Sequence, residues 1–419
     1  MCKQMKGKKK EDDTIYDYSL ASTWLHMPSM IRENVNEDIK DVDEEYNMSS
    51  YTKRVKDLCI FEDILLYPPR LKTLFACDTK LLPPTKYRTR SFGMVMRIGG
   101  RNMSMIVMPL ACLLVWDVIW VIALSFQKPS QKGKDLSTKL DGLVSPLLTP
   151  VSFLLVFRLG RAAVRFWDAR SAVGKVVEVC RTLISTVAAA CIDSQSQHHN
   201  EMVEEFSRWL CVFPIAVKNF VRPSAREGWK EEHRQNKRRF EIGLLLDEKD
   251  ANKLLNVKQD QGEFGPIFVL NNLRRLAFKM SLSEGNEPLK IAFYKQVNEQ
   301  LDVLTGAWGA IERINSTPLP FVYVVHLRTF LLLYIAFWHL ESLSKIYFSN
   351  ENIEESWIMG ASLPLLFFES WSLLGIEAAS VECERPFGWR SNHLPLGKMC
   401  VIVTQNVAQT LKNFSNMAE

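Results

Sequence analysis

The chain lacks most of the marks of catalytic, secreted and nucleic-acid-binding proteins. Its nine cysteines (Cys2, Cys59, Cys77, Cys112, Cys180, Cys191, Cys211, Cys383, Cys400) are odd in number, scattered and never spaced C-x-x-C. That excludes a zinc ribbon or a disulfide framework and points to buried thiols in a reducing compartment. No P-loop, G-x-S-x-G, H-E-x-x-H or strand-placed dinucleotide fingerprint occurs, so the sequence predicts neither an enzyme nor a bound cofactor or metal. His198 and His199 stand in a polar stretch, SQSQHHN, that suits a solvated pair better than a metal site. Fifty-two basic against 47 acidic residues leave a net charge of +5. No compact basic run is interleaved with aromatics, which argues against a nucleic-acid partner. The start, MCKQMKGKKKEDD, has no apolar stretch behind it and is too acidic for a transit peptide, so no targeting signal is read there.

What is present is segregated. The averages, 47% hydrophobic, 24% charged and a mean hydropathy of −0.06, are those of a soluble protein. The apolar residues are nevertheless gathered into four stretches. From Met103 to Phe126 only Asp117 is charged, over 24 residues, enough to cross a hydrocarbon core about 30 Å thick. Gly142 to Phe157 is uncharged but interrupted by Pro146 and Pro150, which predicts a broken helix; such a break is tolerated in a membrane where the freed backbone faces protein or water. Leu319–Leu340 carries His326 and Arg328, and Trp357–Ile376 carries Glu369. Ionisable groups inside a span are costly, and pairing within the protein is the expected use of Asp117, His326, Arg328 and Glu369.

These stretches predict an all-α, multi-pass membrane protein with four transmembrane helices. A polar tail (1–50) and a membrane-proximal lead-in (51–100) precede a first transmembrane pair (101–165). A charged helical domain (166–313), a second pair (314–378) and a C-terminal segment (379–419) follow. The segment QKPSQKGKD between the first two spans reads as a polar loop. Basic residues flank the first pair (Lys86, Arg88, Arg90, Arg97 and Arg101 before it; Arg158, Arg161, Arg165 and Arg170 after it), whereas Glu341, Glu351, Glu354 and Glu355 outnumber Lys345 between the third and fourth stretches. By the positive-inside rule the termini and the helical domain lie on the cytosolic side, although Lys128, Lys132, Lys134 and Lys139 in the first loop run against that bias.

The second stretch carries the sharpest pattern. Thr149, Phe153 and Phe157 recur at i, i+4 and i+8, a stripe down one helix face, and Arg161 is the next step. Ordinary helix packing would also produce such a stripe. Pro150 suits the first turn of a helix beginning there, and a helix that starts within the membrane offers free N–H groups and its positive dipole end to an anion. Arg158 and Arg161 below it would favour anions at a pore mouth, or would anchor the helix end at the interface.

The run PVSFLLVFRLGRAAVRFWDAR resembles the pore-lining second helix of bestrophins and of the bestrophin-like chloride channels of plants and bacteria. STPLPFVYVVHLRTFLLLY resembles the opening of that family's third span, and GIEAASVECERPFGWRSNHLPL the segment after its fourth. The resemblance covers most of residues 90–400. It implies a homopentamer of four-span subunits around one pore, a cytosolic helical vestibule, and a hydrophobic neck falling on Thr149, Phe153 and Phe157. It further implies a second constriction near Leu289–Ala292; the expected anion-selective path, at Pro150, Arg158 and Arg161, comes from the helix start and the arginines themselves.

Two departures stand out. Thr149 is polar where bulky aliphatic residues are common in the family. After Pro386-Phe387-Gly388 the chain continues Trp389-Arg390-Ser391-Asn392-His393 without the carboxylates of an animal calcium clasp, so calcium-independent behaviour is expected. The function so implied is passive conduction of chloride, with nitrate and bicarbonate as further candidates, across a plasma, intracellular or thylakoid membrane. A cation-conducting relative and a non-conducting membrane scaffold are the alternatives.

Overall fold

The computed structural model describes residues 103–126, 130–191, 197–222, 238–239, 241–243, 245–257, 265–283, 287–349, 357–388 and 392–418. The polar tail, the lead-in and the basic cluster from Lys86 to Arg101 lie outside them, as do Lys128, Glu351, Glu354, Glu355 and Trp389–Ser391. Among the described residues there is no β-strand. The helices are α1 (Met103–Ser125), α2 (Gln131–Val144), α3 (Leu148–Cys191), α4 (Gln197–Val221), α5 (Glu248–Leu255), α6 (Gly265–Ser283), α7 (Glu287–Ser316), α8 (Phe321–Ser349), α9 (Trp357–Glu384) and α10 (Leu396–Ala418). They fall into two compact units, one of Lys86–Asp168 and Ser316–Pro386, the other built on Ala169–Asn315 and Phe387–Glu419.

The first unit contains α1, α2, the start of α3, α8 and α9. Its core follows helical spacing: Ile106, Leu110 and Leu113 of α1, Val151 and Leu155 of α3, Leu327, Leu331, Tyr334 and Ile335 of α8, and Leu374 and Ala378 of α9. The outward faces are apolar too, with Val107, Met108, Val115, Ile119 and Ile122 of α1 and Phe321, Val322 and Phe337 of α8 exposed. A helix apolar on all sides belongs in lipid or in a larger core. Three segments of the described residues are long and apolar enough to cross a membrane: Met105–Ser125, one lying within Gln131–Ala190, and Phe321–Phe348.

One expectation needs correcting here. The segment QKPSQKGKD is not a loop throughout, because α2 begins at Gln131. Ser130 caps it, its side chain accepting from the Gly133 N–H, and Ser137 and Val144 turn inward. Gly133 sits so close to the Phe348 ring that any Cβ there would overlap it, which explains a glycine in a helix. In the second stretch a 3₁₀ turn at Ser145–Leu147 separates α2 from α3, which then runs 44 residues, well past the uncharged run that ends at Phe157. The rise in charge after Phe157 changes what surrounds the helix and leaves its backbone intact.

In the second unit α4 is the central helix, with α6 and α10 packed along it. Phe206, Trp209, Leu210 and Phe213 of α4 are buried, as are Leu273, Leu276 and Met280 of α6 and Val403 and Val407 of α10. A buried ion pair joins Lys218 Nζ to Glu241 Oε1 at 2.6 Å. Arg222 donates to the Phe387 carbonyl from Nε (2.7 Å) and to the Leu394 carbonyl from Nη2 (2.9 Å), fastening both ends of the segment before α10. Cys211 is enclosed in this core, and burial pushes its thiol up to about 12, against the partial relief of a hydrogen bond with Thr404. Since the thiolate is the reactive form, Cys211 should stay unlabelled by maleimide at neutral pH in folded protein and react only after denaturation. Rapid native labelling at Cys211 would contradict this packing.

Candidate functional site

The first four turns of α3 bring most of the predicted site residues onto one face. Pro146 lies in the 3₁₀ turn before the helix, and Pro150 in the first turn of α3, where its missing N–H costs no helical hydrogen bond. From there Thr149, Phe153, Phe157 and Arg161 form an exposed row, and Pro150 is exposed beside it. The Phe153 and Phe157 rings lie 5.6 Å apart, centroid to centroid. The Arg161 guanidinium stands 5.6 Å from the centre of the Phe157 ring, a cation–π contact. The opposite face, Val151, Leu155, Arg158 and Ala162, is buried.

Arg158 is therefore not where the sequence puts it. It had been grouped with Arg161 on an anion path, yet its side chain is 0% exposed. One residue along a helix turns the side chain by about 100°, which carries Arg158 away from the Phe157 face. Its Nη2 donates to Glu384 Oε2 at 2.7 Å, and its Nε lies 3.4 Å from Glu377 Oε2. The same Glu377 accepts from Arg328 Nε at 2.8 Å, and Arg165 Nε donates to the Glu384 carbonyl at 2.9 Å. Glu377 and Glu384 of GIEAASVECERPFG thus hold arginines, and no group of three or more metal-ligating side chains occurs among the described residues.

Two of the other ionisable residues in the apolar stretches, Asp117 and Glu369, are paired across helices. Asp117 of α1 lies 2.8 Å from His339 Nδ1 of α8, and the remaining His339 nitrogen lies 3.0 Å from Ser370 Oγ of α9; all three are buried. Trp338 donates to Glu369 at 2.9 Å, and His326 stacks on Phe330. Sequence reasoning flagged Asp117 but passed over His339, which hides in an otherwise apolar run; an Asp and a His each embedded in a span is the signal that pairs them. Leu289 and Ile291, near the predicted second constriction, are exposed at the start of α7.

An exposed aromatic–arginine row thus stands on a helical unit whose other outward faces suit lipid. The comparisons with known proteins agree with the helical membrane class. Residues 84–409 match the family described as Bacterial/Fungal Bestrophin protein, and the chain belongs to that family. Among curated relatives, a voltage-dependent anion channel-forming protein of Synechocystis sp. is 26% identical over 280 residues, 67% of this chain and 80% of that one. A protein of the same description from Nostoc sp. is 25% identical over 319 residues, 75% of this chain and 90% of its own. A solved bestrophin homologue from Klebsiella pneumoniae superposes with a TM-score of 0.56 at 19% identity, covering 73% of this chain and 98% of that one. Membership and the apolar helices together make this an integral membrane protein.

Proposed function

We propose that the chain is one subunit of an anion channel, a homopentamer of four-span subunits conducting chloride passively, with nitrate and bicarbonate as further permeant ions. The observation that carries this is the row Thr149, Phe153, Phe157, Arg161: two large aromatics and a cation left exposed on a single chain, on the helix that resembles the family's pore helix. Five copies around an axis would form an apolar neck that gates by wetting, entered through the more hydrated Thr149 turn. The naming of the Synechocystis and Nostoc relatives as anion channel-forming proteins supports the same reading. Helix α9 serves as the fourth span, with Glu369 held by Trp338.

The anion-facing charge belongs to Arg161. Its position on the Phe157 ring keeps it at the inner lip of the neck, while Arg158 is taken out of the path by Glu377 and Glu384. Purified protein reconstituted in bilayers under a chloride gradient should give currents that reverse at the chloride Nernst potential. Reversal at the cation potential would mean a cation-conducting relative, and silence a scaffold. Arg161→Glu should then reduce the chloride-to-sodium permeability ratio by about tenfold, the equivalent of 1.4 kcal/mol of ion selectivity; an unchanged ratio would make Arg161 an interfacial anchor.

A further inference from the structure

Behind the exposed row, α3 is gripped by α9 at two places in matched register. Glu377 and Glu384 are seven residues apart, two turns on one face of α9. Arg158 and Arg165 are likewise seven apart on α3. Glu384 takes both arginines: its carboxylate accepts from Arg158 and its backbone carbonyl from Arg165. Glu377 shares one oxygen with Arg158 and the other with Arg328 of α8, so three helices meet at one carboxylate. Arg158 is fully buried, and the side chains of Glu377 and Glu384 are only 9% and 13% exposed. Charge-assisted hydrogen bonds in such surroundings hold their geometry tightly.

We propose that Glu377 and Glu384 form a clamp that sets the radius of the neck, acting through Arg158 on the adjacent Phe157. The proposal rests on the anion-channel reading. The ring contacts of Phe157, with Phe153 and Arg161, are to residues of its own helix. Its radial position therefore follows that of the α3 backbone at residue 158, and that backbone is fixed from behind by the clamp. Glu377 and Glu384 are positioning residues: neither lies on the exposed row, and neither contributes a charge to the permeating ion.

The test is the double variant Arg158→Met/Glu384→Gln, which removes both charges together and leaves no buried ion without a counterion; Glu377 keeps Arg328. With the clamp slackened, open probability should rise about tenfold, a shift of about 1.4 kcal/mol in the gating equilibrium. The chloride-to-sodium permeability ratio should stay that of the unaltered channel, because Arg161 is untouched. A purely structural role would instead lower assembled mass and current together. If the double variant does not assemble, Glu384→Gln alone, which keeps an acceptor oxygen for Arg158, should show a smaller rise in the same direction. Unaltered gating in a variant that assembles and conducts would overturn the clamp. Absence of anion current from the unaltered protein would overturn the channel reading, and the clamp with it.

Discussion

Phe157→Ala is expected to raise single-channel conductance about tenfold or more, a change that corresponds to only about 1.4 kcal/mol removed from the barrier at the neck. The reasoning starts from exposure. Phe157 is 49% exposed, and its ring partners are Phe153 at 5.6 Å and Arg161 above its face. Truncation leaves no enclosed cavity, so stability should change by no more than about 0.5 kcal/mol, the range of surface substitutions. In a pentamer the same change removes five rings from the narrowest point, where an apolar constriction excludes water. A large change in flux with almost none in stability separates a neck residue from a core residue. Phe157→Tyr sharpens the test, because it adds a hydroxyl without widening the ring: a rise there would show that wetting limits conduction, and no rise would show that radius does. Bilayer recordings beside thermal unfolding in detergent read both quantities, and unchanged conductance in Phe157→Ala would place the constriction elsewhere.

The legible and illegible parts of this site differ in how far apart the interacting residues lie. The Thr149–Phe153–Phe157–Arg161 row could be read because helical spacing puts those residues on one face, and the structure leaves that face exposed. The burial of Arg158 could not, because its partners are 219 and 226 residues away and nothing local distinguishes it from Arg161. Helix α2 was missed for a different reason: four lysines and a glycine within QKPSQKGKDLSTK outweighed the Ser130 cap, and the Phe348 ring that favours Gly133 lies on another helix. How far α3 runs beyond Arg170, to Cys191, has no local mark in the sequence. Arginines at 158, 161 and 165 suggest a membrane boundary, but a boundary crossed by a helix leaves no mark on the helix itself. Gly160, with open space where a Cβ would lie, adds no packing reason for a break.

The largest effect on stability is expected at His339. Its ring joins three helices, with Nδ1 2.8 Å from Asp117 of α1 and Nε2 3.0 Å from Ser370 of α9, and α8 carries the ring between them. Asp117 Oδ1 pairs with Nδ1 on one side of the ring and Ser370 Oγ with Nε2 on the other, so one side chain bonds to two neighbouring helices. The second oxygen of Asp117 is buried without a hydrogen-bond partner among the described residues, so the carboxyl group leans on His339 in the interior. His339→Ala would strand that carboxylate, and breaking a buried pair from one side costs about 3–5 kcal/mol. Ser370→Ala removes one neutral hydrogen bond and should cost about 1 kcal/mol. Asp117→Asn falls between them, because the amide oxygen can still accept from Nδ1 while the buried charge is gone. The Trp116 indole donating to the Ala336 carbonyl at 3.1 Å holds α1 to α8 independently, so none of these variants should separate the helices outright. Thermal unfolding followed by the recovery of assembled protein should therefore rank the losses His339→Ala, Asp117→Asn, Ser370→Ala. The double variant Asp117→Asn/His339→Ala should be more stable than His339→Ala alone, because it removes the stranded charge; a further loss in the double variant would show that the carboxylate has another partner and that the three-helix latch is misassigned.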